Sequence, residues 1–412
     1  MQRMQRMERS RSQQSIVRRH ALSHACMHHR IPSDKASMNT LDPVALTREL
    51  IALPSANPPG DEEACARYLA TLLEKLGFDV VLHTFGERRF NLIARLVGTS
   101  VGAPLGFTGH LDTVPLGAAE WTHDPFGGEI ADGKLYGRGT SDMKAGIAAF
   151  IVACASSIDT VRRGTGVHLI LTGGEETGCD GAHALAADHP ELLQSLGGLI
   201  VGEPTGNRVL LGHKGALWLR GIARGVTAHG AMPEQGINAI RVATDALAHV
   251  WDFSVGDAHE VMGKPTLNVG TIRGGLNINS VPDRVEFTID MRTVPGIEHH
   301  CVADRLQSQL GDVVLSPVID LPSVYSEPSD AWIARVMDIA RPYDDLPAGP
   351  RTAQYFTDAA VLKPATAWPP TVILGPGETA MAHKTDEYCR VDRLNDAVAL
   401  YGAILRDWIQ TS

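Results

Sequence analysis

Cysteine is scarce and scattered in this sequence. The six residues, Cys26, Cys65, Cys154, Cys179, Cys301 and Cys389, form no C-x-x-C pair and no framework spacing. That pattern excludes a disulfide-stapled secreted scaffold and predicts reduced, mostly buried thiols in a reducing compartment, the cytoplasm. Long hydrophobic runs are missing as well. No stretch approaches the roughly 20 consecutive apolar residues of a membrane span, so a soluble chain with no membrane partner is expected. Basic residues are concentrated in positions 1–37, which hold seven Arg and one Lys against only Glu8 and Asp34, whereas the whole chain carries a formal net charge of -10. The remainder is therefore acidic and lacks the clustered Lys and Arg of a nucleic-acid surface. The opening stretch MQRMQRMERSRSQQSIVRRH has no apolar h-region, which excludes an ordinary secretory signal. Its Arg- and Ser-rich composition resembles a transit peptide. The plainer expectation is a disordered extension over residues 1–37, or an upstream start with Met38 as the true beginning, since helical periodicity first appears in MNTLDPVALTRELIAL.

What is present suffices for a large core. A chain of 412 residues with 44% hydrophobic content predicts two or three domains. Residues 42–77 read as helix, NPPG turn, helix, with Ala66, Leu69, Leu72, Leu73 and Leu76 at helical spacing. The runs FDVVLHTF, NLIARLVG, PLGFTGHL, VHLILTGG and GGLIVGEP then alternate with helical stretches such as MKAGIAAFIVACASSI. This is the α/β rhythm of a mixed, mostly parallel sheet covered on both faces. After His213 the order becomes strand, helix, strand, strand, helix, strand, which predicts an inserted ferredoxin-like α+β domain over residues 214–322. The α/β rhythm resumes afterwards, so the large domain is expected in two parts, residues 38–213 and 323–412.

Acidic and imidazole side chains fall at the ends of the predicted strands. GHLDTVP places His110 and Asp112 at i and i+2, on one side of an extended segment. A metal-ligating histidine commonly passes its second ring nitrogen to such a carboxylate. YGRGTSDMKAG lacks the third glycine of a dinucleotide fingerprint, so a nucleotide-dependent oxidoreductase is excluded, and what remains is a glycine-rich turn presenting Asp142. LTGGEETG sets Glu175 and Glu176 side by side after a buried strand, and GGLIVGEPT ends at Glu203. PTVILG runs on into GPGETAMAHKTDEY, which presents His383. Taken singly, each has an ordinary alternative: a strand end, a helix cap or a solvated acidic loop. Together they converge at the carboxyl ends of the strands, where open α/β sheets bind ligands. Two adjacent carboxylates there call for a cation. The charge of Asp142, Glu176, Glu203 and one bridging hydroxide equals that of two divalent cations. The oxygen and nitrogen ligands suit zinc, with cobalt or manganese as alternatives.

GHLDTVP, YGRGTSDMKAG, LTGGEETG, VGEPT and GPGETAMAHKTDEY, with TAHGAMPEQGINAI as a sixth, resemble in residue and order the zinc-dependent family of acetylornithine deacetylase, succinyl-diaminopimelate desuccinylase, aminoacylase and glutamate carboxypeptidase. The resemblance runs from about Met38 to the end of the chain. It implies a zinc-aminopeptidase-like catalytic domain with a lid and dimerisation insert, and hence a homodimer. It implies that His110 and Glu203 hold one metal and Glu176 and His383 the other, with Asp142 bridging through a cis peptide to Met143. Asp112 would orient His110. Glu175 would take a proton from the attacking water and return it to the leaving amine. His229 would reach a neighbouring subunit's site and stabilise the oxyanion, while Asn279 and Arg292 would contact the substrate carboxylate.

The expected activity is hydrolysis of the amide in a small N-acyl amino acid, with GEPT, HKG, GPG and AHKTDEY leaning toward the acetylornithine deacetylase branch. Dipeptidase or carboxypeptidase action on a short peptide is the alternative within the family. A non-catalytic metal-binding scaffold on the same fold is the alternative outside it.

Overall fold

A computed structural model describes residues 41–411. The expectations for residues 1–37 and for Met38 lie outside the described residues. The chain enters through two helices, Pro43–Ile51 and Glu63–Lys75. Asp42 caps the first by accepting the Ala45 amide at 2.7 Å, with Pro43 at the first helical position. The second buries Leu69, Leu72 and Leu73 along one stripe.

The strands follow in order: β1 (Asp79–Gly86), β2 (Arg89–Val97), β3 (Leu105–His110), and a small outlying pair, β4 (Ile130–Ala131) and β5 (Lys134–Tyr136). After β6 (Gly166–Thr172) and β7 (Gly198–Val201) comes the short β8 (Gly212–His213). Four longer strands succeed it, β9 (Gly215–Arg224), β10 (Thr266–Gly274), β11 (Arg284–Thr293) and β12 (Val314–Leu321). The last three are short: β13 (Val324–Tyr325), β14 (Thr371–Ile373) and β15 (Tyr388–Arg390).

The main sheet has the order β1-β2-β6-β3-β7-β14. Its pairings are antiparallel from β1 through β2 to β6 and parallel from β6 through β3 and β7 to β14. The expected mixed sheet with a parallel part is therefore present. All residues of β3, β6 and β7 are buried, as strands covered on both faces must be. The helix Ala145–Ala155 is buried at every position. Its Phe150 stacks on Phe107 of β3, ring centroids 4.1 Å apart, with Tyr401 of the last helix, Val391–Thr411, set edge-on. Gly146 lets this helix approach the main sheet, because a Cβ there would lie 2.1 Å from the Gly202 carbonyl oxygen.

The second sheet, β10-β11-β9-β12, is wholly antiparallel. Alternation along β11 buries Val285, Phe287, Ile289 and Met291. They pack with Val250 of the helix Ala239–Trp251 and Val302 and Leu306 of the helix His299–Gln307. No helix among the described residues is long and apolar enough to cross a membrane.

Candidate metal centre and active-site cavity

Three parallel strands deliver the chemistry at their carboxyl ends. His110 closes β3, β6 stops at Thr172 just before Glu175 and Glu176, and Glu203 lies two residues beyond β7. The turn after β6 depends on glycine. Gly174 and Gly178 take φ of 77° and 117°, a region that costs most other residues energy, and between them the chain reverses so that both glutamates enter one crevice.

Asp112 holds that turn. Its carboxylate accepts the amides of Glu175 at 3.2 Å and Glu176 at 3.3 Å, and the Asn57 side chain at 2.9 Å. The expected bond from His110 takes a different atom. The imidazole Nδ1 lies 2.9 Å from the main-chain carbonyl of Asp112 and 3.7 Å from its carboxylate. Donation to that carbonyl orients the ring and aims Nε2 at the cluster.

Asp142 sits in the irregular segment Thr140–Lys144, just ahead of the helix that begins at Ala145, and the Asp142–Met143 peptide is cis. One of its oxygens is 3.0 Å from His110 Nε2, and the other is 3.5 Å from His383 Nε2. Glu203 approaches His110 Nε2 at 3.8 Å, and Glu176 approaches His383 at 2.9 Å. Two groups of three, His110 with Asp142 and Glu203, and Asp142 with Glu176 and His383, thus share one carboxylate, and each group's donor atoms lie within 4.8 Å of one another.

The electrostatics describe a cation site. Burial pushes the Glu203 and Glu175 carboxyls well above the usual range, and neighbouring acids add to it. Burial and Asp142 likewise raise Glu176. His383, bonded to Asp142 and Glu176, is raised to about 10. Burial opposes the same effect at His110, but Asp142 and Glu203 outweigh it and hold that imidazole well above its ordinary value. Asp142, which burial would raise, is instead held low by its two histidines. One oxygen of Glu176, Oε1, is buried without a hydrogen-bond partner. Carboxylates packed this densely repel one another, and cations among them relieve that repulsion. The donor set of carboxylate oxygens and imidazole nitrogens fits a pair of divalent ions.

A cavity of about 360 Å³ opens beside the cluster, lined by Asp142, Glu175, Glu176, Glu203 and His383 together with Trp218, Arg292, Tyr355 and Phe356. Arg292 is among the residues lining this cavity. His229 and Asn279 are not among its lining residues. They are exposed neighbours in the loops of the smaller sheet, joined by the bond from the Gly230 amide to the Asn279 carbonyl at 2.7 Å.

Several contributors escaped the sequence. Glu387 is fully buried and shapes the Asp142 segment. It stands in the same AHKTDEY stretch as His383, and that proximity was the available signal. Asp358, which burial raises to about 6, bonds Thr172 at the end of β6. Trp218, Tyr355 and Phe356 carry no spacing that marks a cavity wall.

Fold and site together define a metal-dependent hydrolase of linear amides. The chain belongs to the peptidase family M20/M25/M40, whose model matches residues 106–407. It is 31% identical over 389 residues to an acetylornithine deacetylase of Proteus mirabilis, covering 89% of this chain and 96% of that protein. It is 31% identical over 388 residues to a succinyl-diaminopimelate desuccinylase of Cereibacter sphaeroides, covering 89% and 99%. The fold is shared with an M20 metallo-carboxypeptidase of Sulfolobus solfataricus, at a TM-score of 0.74 and 18% identity over 90% of this chain and 99% of that one. It is also shared with a dinuclear metal-binding M20 peptidase of Bacillus subtilis, at a TM-score of 0.67 and 14% identity over 92% and 100%.

Proposed function

We propose that the chain hydrolyses the amide bond of a small N-acyl amino acid, in the manner of a deacetylase or desuccinylase. The observation that carries this reading is the pair of ligand groups joined at Asp142, with Glu175 buried beside them in the same cavity. His110 and Glu203 would hold one ion, Glu176 and His383 the other, and Asp142 both. Zinc suits this donor set best. When bound, such a pair would polarise the amide carbonyl and lower the pKa of the attacking water.

The chain's own groups do the rest. Glu175 accepts a proton from water as its oxygen attacks the amide carbon, then donates that proton to nitrogen as the C–N bond breaks. The products are a carboxylate and a free amine. Asp112 keeps Glu175 and Glu176 in register through their amides. Arg292, whose Nε and Nη2 are held by Asp290, offers its Nη1 edge to the substrate carboxylate.

His229 and Asn279 lie in loops of the smaller sheet, whose strand order and two helices support the reading of residues 214–322 as a ferredoxin-like lid between catalytic parts 38–213 and 323–412. Their exposure supports the further reading that they serve a second copy's site in a homodimer. The fold likeness to a metallo-carboxypeptidase favours a second reading, peptidase action on short peptides.

Dialysis against a chelator should abolish amide hydrolysis, and added zinc should restore it with two ions per chain by elemental analysis. Activity that survives complete metal removal refutes the proposal.

A further inference from the structure

Beyond the acidic cluster, the cavity lining carries groups that the hydrolytic step does not use. Trp218 of β9 and Phe356 meet edge to face, ring centroids 6.2 Å apart. The Arg292 guanidinium lies against both, 5.6 Å from the Trp218 ring and 6.0 Å from the Phe356 ring. Asp290 fixes this arrangement. It accepts from Arg292 Nε at 2.9 Å and Nη2 at 3.2 Å, and from Trp218 Nε1 at 2.9 Å. The Nη1 edge of the fork is left over for a ligand carboxylate. Tyr355 lines the same space, and its hydroxyl is buried without a partner.

The charges of this cavity are already committed. Among the described residues its lining acids are Asp142, Glu175, Glu176 and Glu203, all of which belong to the reaction centre in the reading above. Asp290 is taken by Arg292 and Trp218. An ammonium group beside the substrate carboxylate would find no free counter-charge. It would also find the aromatic faces already occupied by a guanidinium of its own sign. An apolar side chain in the same place needs no counter-charge and would displace water from the ring edges that Arg292 leaves uncovered.

We propose that Trp218, Tyr355 and Phe356 form a specificity wall that selects N-acyl amino acids with an apolar or aromatic side chain and disfavours the cationic side chains of diamino acids. This rests on the proposed amide hydrolysis, with Arg292 holding the α-carboxylate so that the adjacent side chain meets the rings.

The test compares kcat/KM of the metal-loaded full chain on N-acetyl-L-phenylalanine, N-acetyl-L-leucine, N-acetyl-L-ornithine and N-succinyl-L,L-diaminopimelate. The first two are expected to exceed the others at least about 10-fold, the order of discrimination a hydrophobic pocket supplies. Calorimetric binding of the same compounds to the Glu175→Gln form should show the same ranking without turnover. Phe356→Ala should lower the phenylalanine-to-ornithine ratio about 10-fold. Preference for the ornithine or diaminopimelate compound overturns the wall while leaving amide hydrolysis standing. If none of the four is either bound or cleaved, the N-acyl amino acid reading falls and the wall with it.

Discussion

The main-chain amide of Asp142 donates to the carboxylate of Glu387 at 3.0 Å. The same carboxylate accepts the amides of Ser141 at 2.8 Å and Gly139 at 3.0 Å, together with the Arg138 guanidinium. A buried anion thus replaces regular secondary structure as the acceptor for a loop that must stay irregular to aim Asp142 between two histidines. Glu387→Ala would strand three amides and a buried guanidinium. We expect a loss of about 3–5 kcal/mol, the usual cost of breaking a buried ion pair, read by urea denaturation of the metal-free chain. Metal affinity should fall in parallel. Unchanged stability would show that water can take over the carboxylate's bonds.

Metal stoichiometry should separate shared from unshared ligands. Asp142 belongs to both donor groups, whereas His383 belongs to one. After gel filtration, elemental analysis should find close to no metal in Asp142→Ala and about half the wild-type content in His383→Ala. Equal losses in the two variants would argue against a bridging role.

Glu175→Gln should keep its metal and its fold, because the substitution preserves shape and the Asp112 bond is made by the backbone. Turnover should drop by about 10²- to 10⁴-fold, the range general acid-base catalysis supplies. A variant with wild-type kcat would move the proton-carrying role to another group.

Acid should destabilise the fold through two buried imidazoles. Burial, with Arg95 adding to it, lowers His168 to about 3, and burial lowers His213 to about 4. Both are therefore neutral in the folded chain, while in the unfolded chain they take up protons near pH 6.5. The stability they contribute is complete above that value and is lost as pH falls toward 4 and then 3, at roughly 1.4 kcal/mol per pH unit for each. Both ring nitrogens of His168 are buried without a hydrogen-bond partner, so an apolar replacement forfeits no bond. His168→Leu should gain stability relative to wild type at pH 5 more than at pH 7.5, measured by urea midpoints. An equal effect at both values would assign His168 a packing role alone.

Much of this molecule is legible in its sequence. The runs from PLGFTGHL to GGLIVGEPT fall on β3, β6 and β7, and the order after His213 reappears as β9 to β12 with their two helices. The first three are near-continuous apolar runs bounded by turn residues, and β9 and β11 alternate in burial, so pattern alone places them. Strand ends then point to His110, Glu176 and Glu203, because the carboxyl edge of a parallel sheet is a single place in space. The bond between His110 and the Asp112 carbonyl was not legible, since backbone groups leave no trace in residue identity. Nor was the aromatic wall. Trp218 and Phe356 lie 138 positions apart by number and meet only through tertiary packing. The short pairs β8–β13 and β5–β15 escaped because two- and three-residue strands have no period to detect.

Asp112 gives the adjacent glutamates a common anchor. Whatever shifts that side chain carries the cation holder and the proton carrier along together, so the spacing between them is inherited as one unit. Changes in substrate preference therefore have room to arise on the far wall, around Trp218 and Phe356, where new side chains can be tried without retuning the reaction itself.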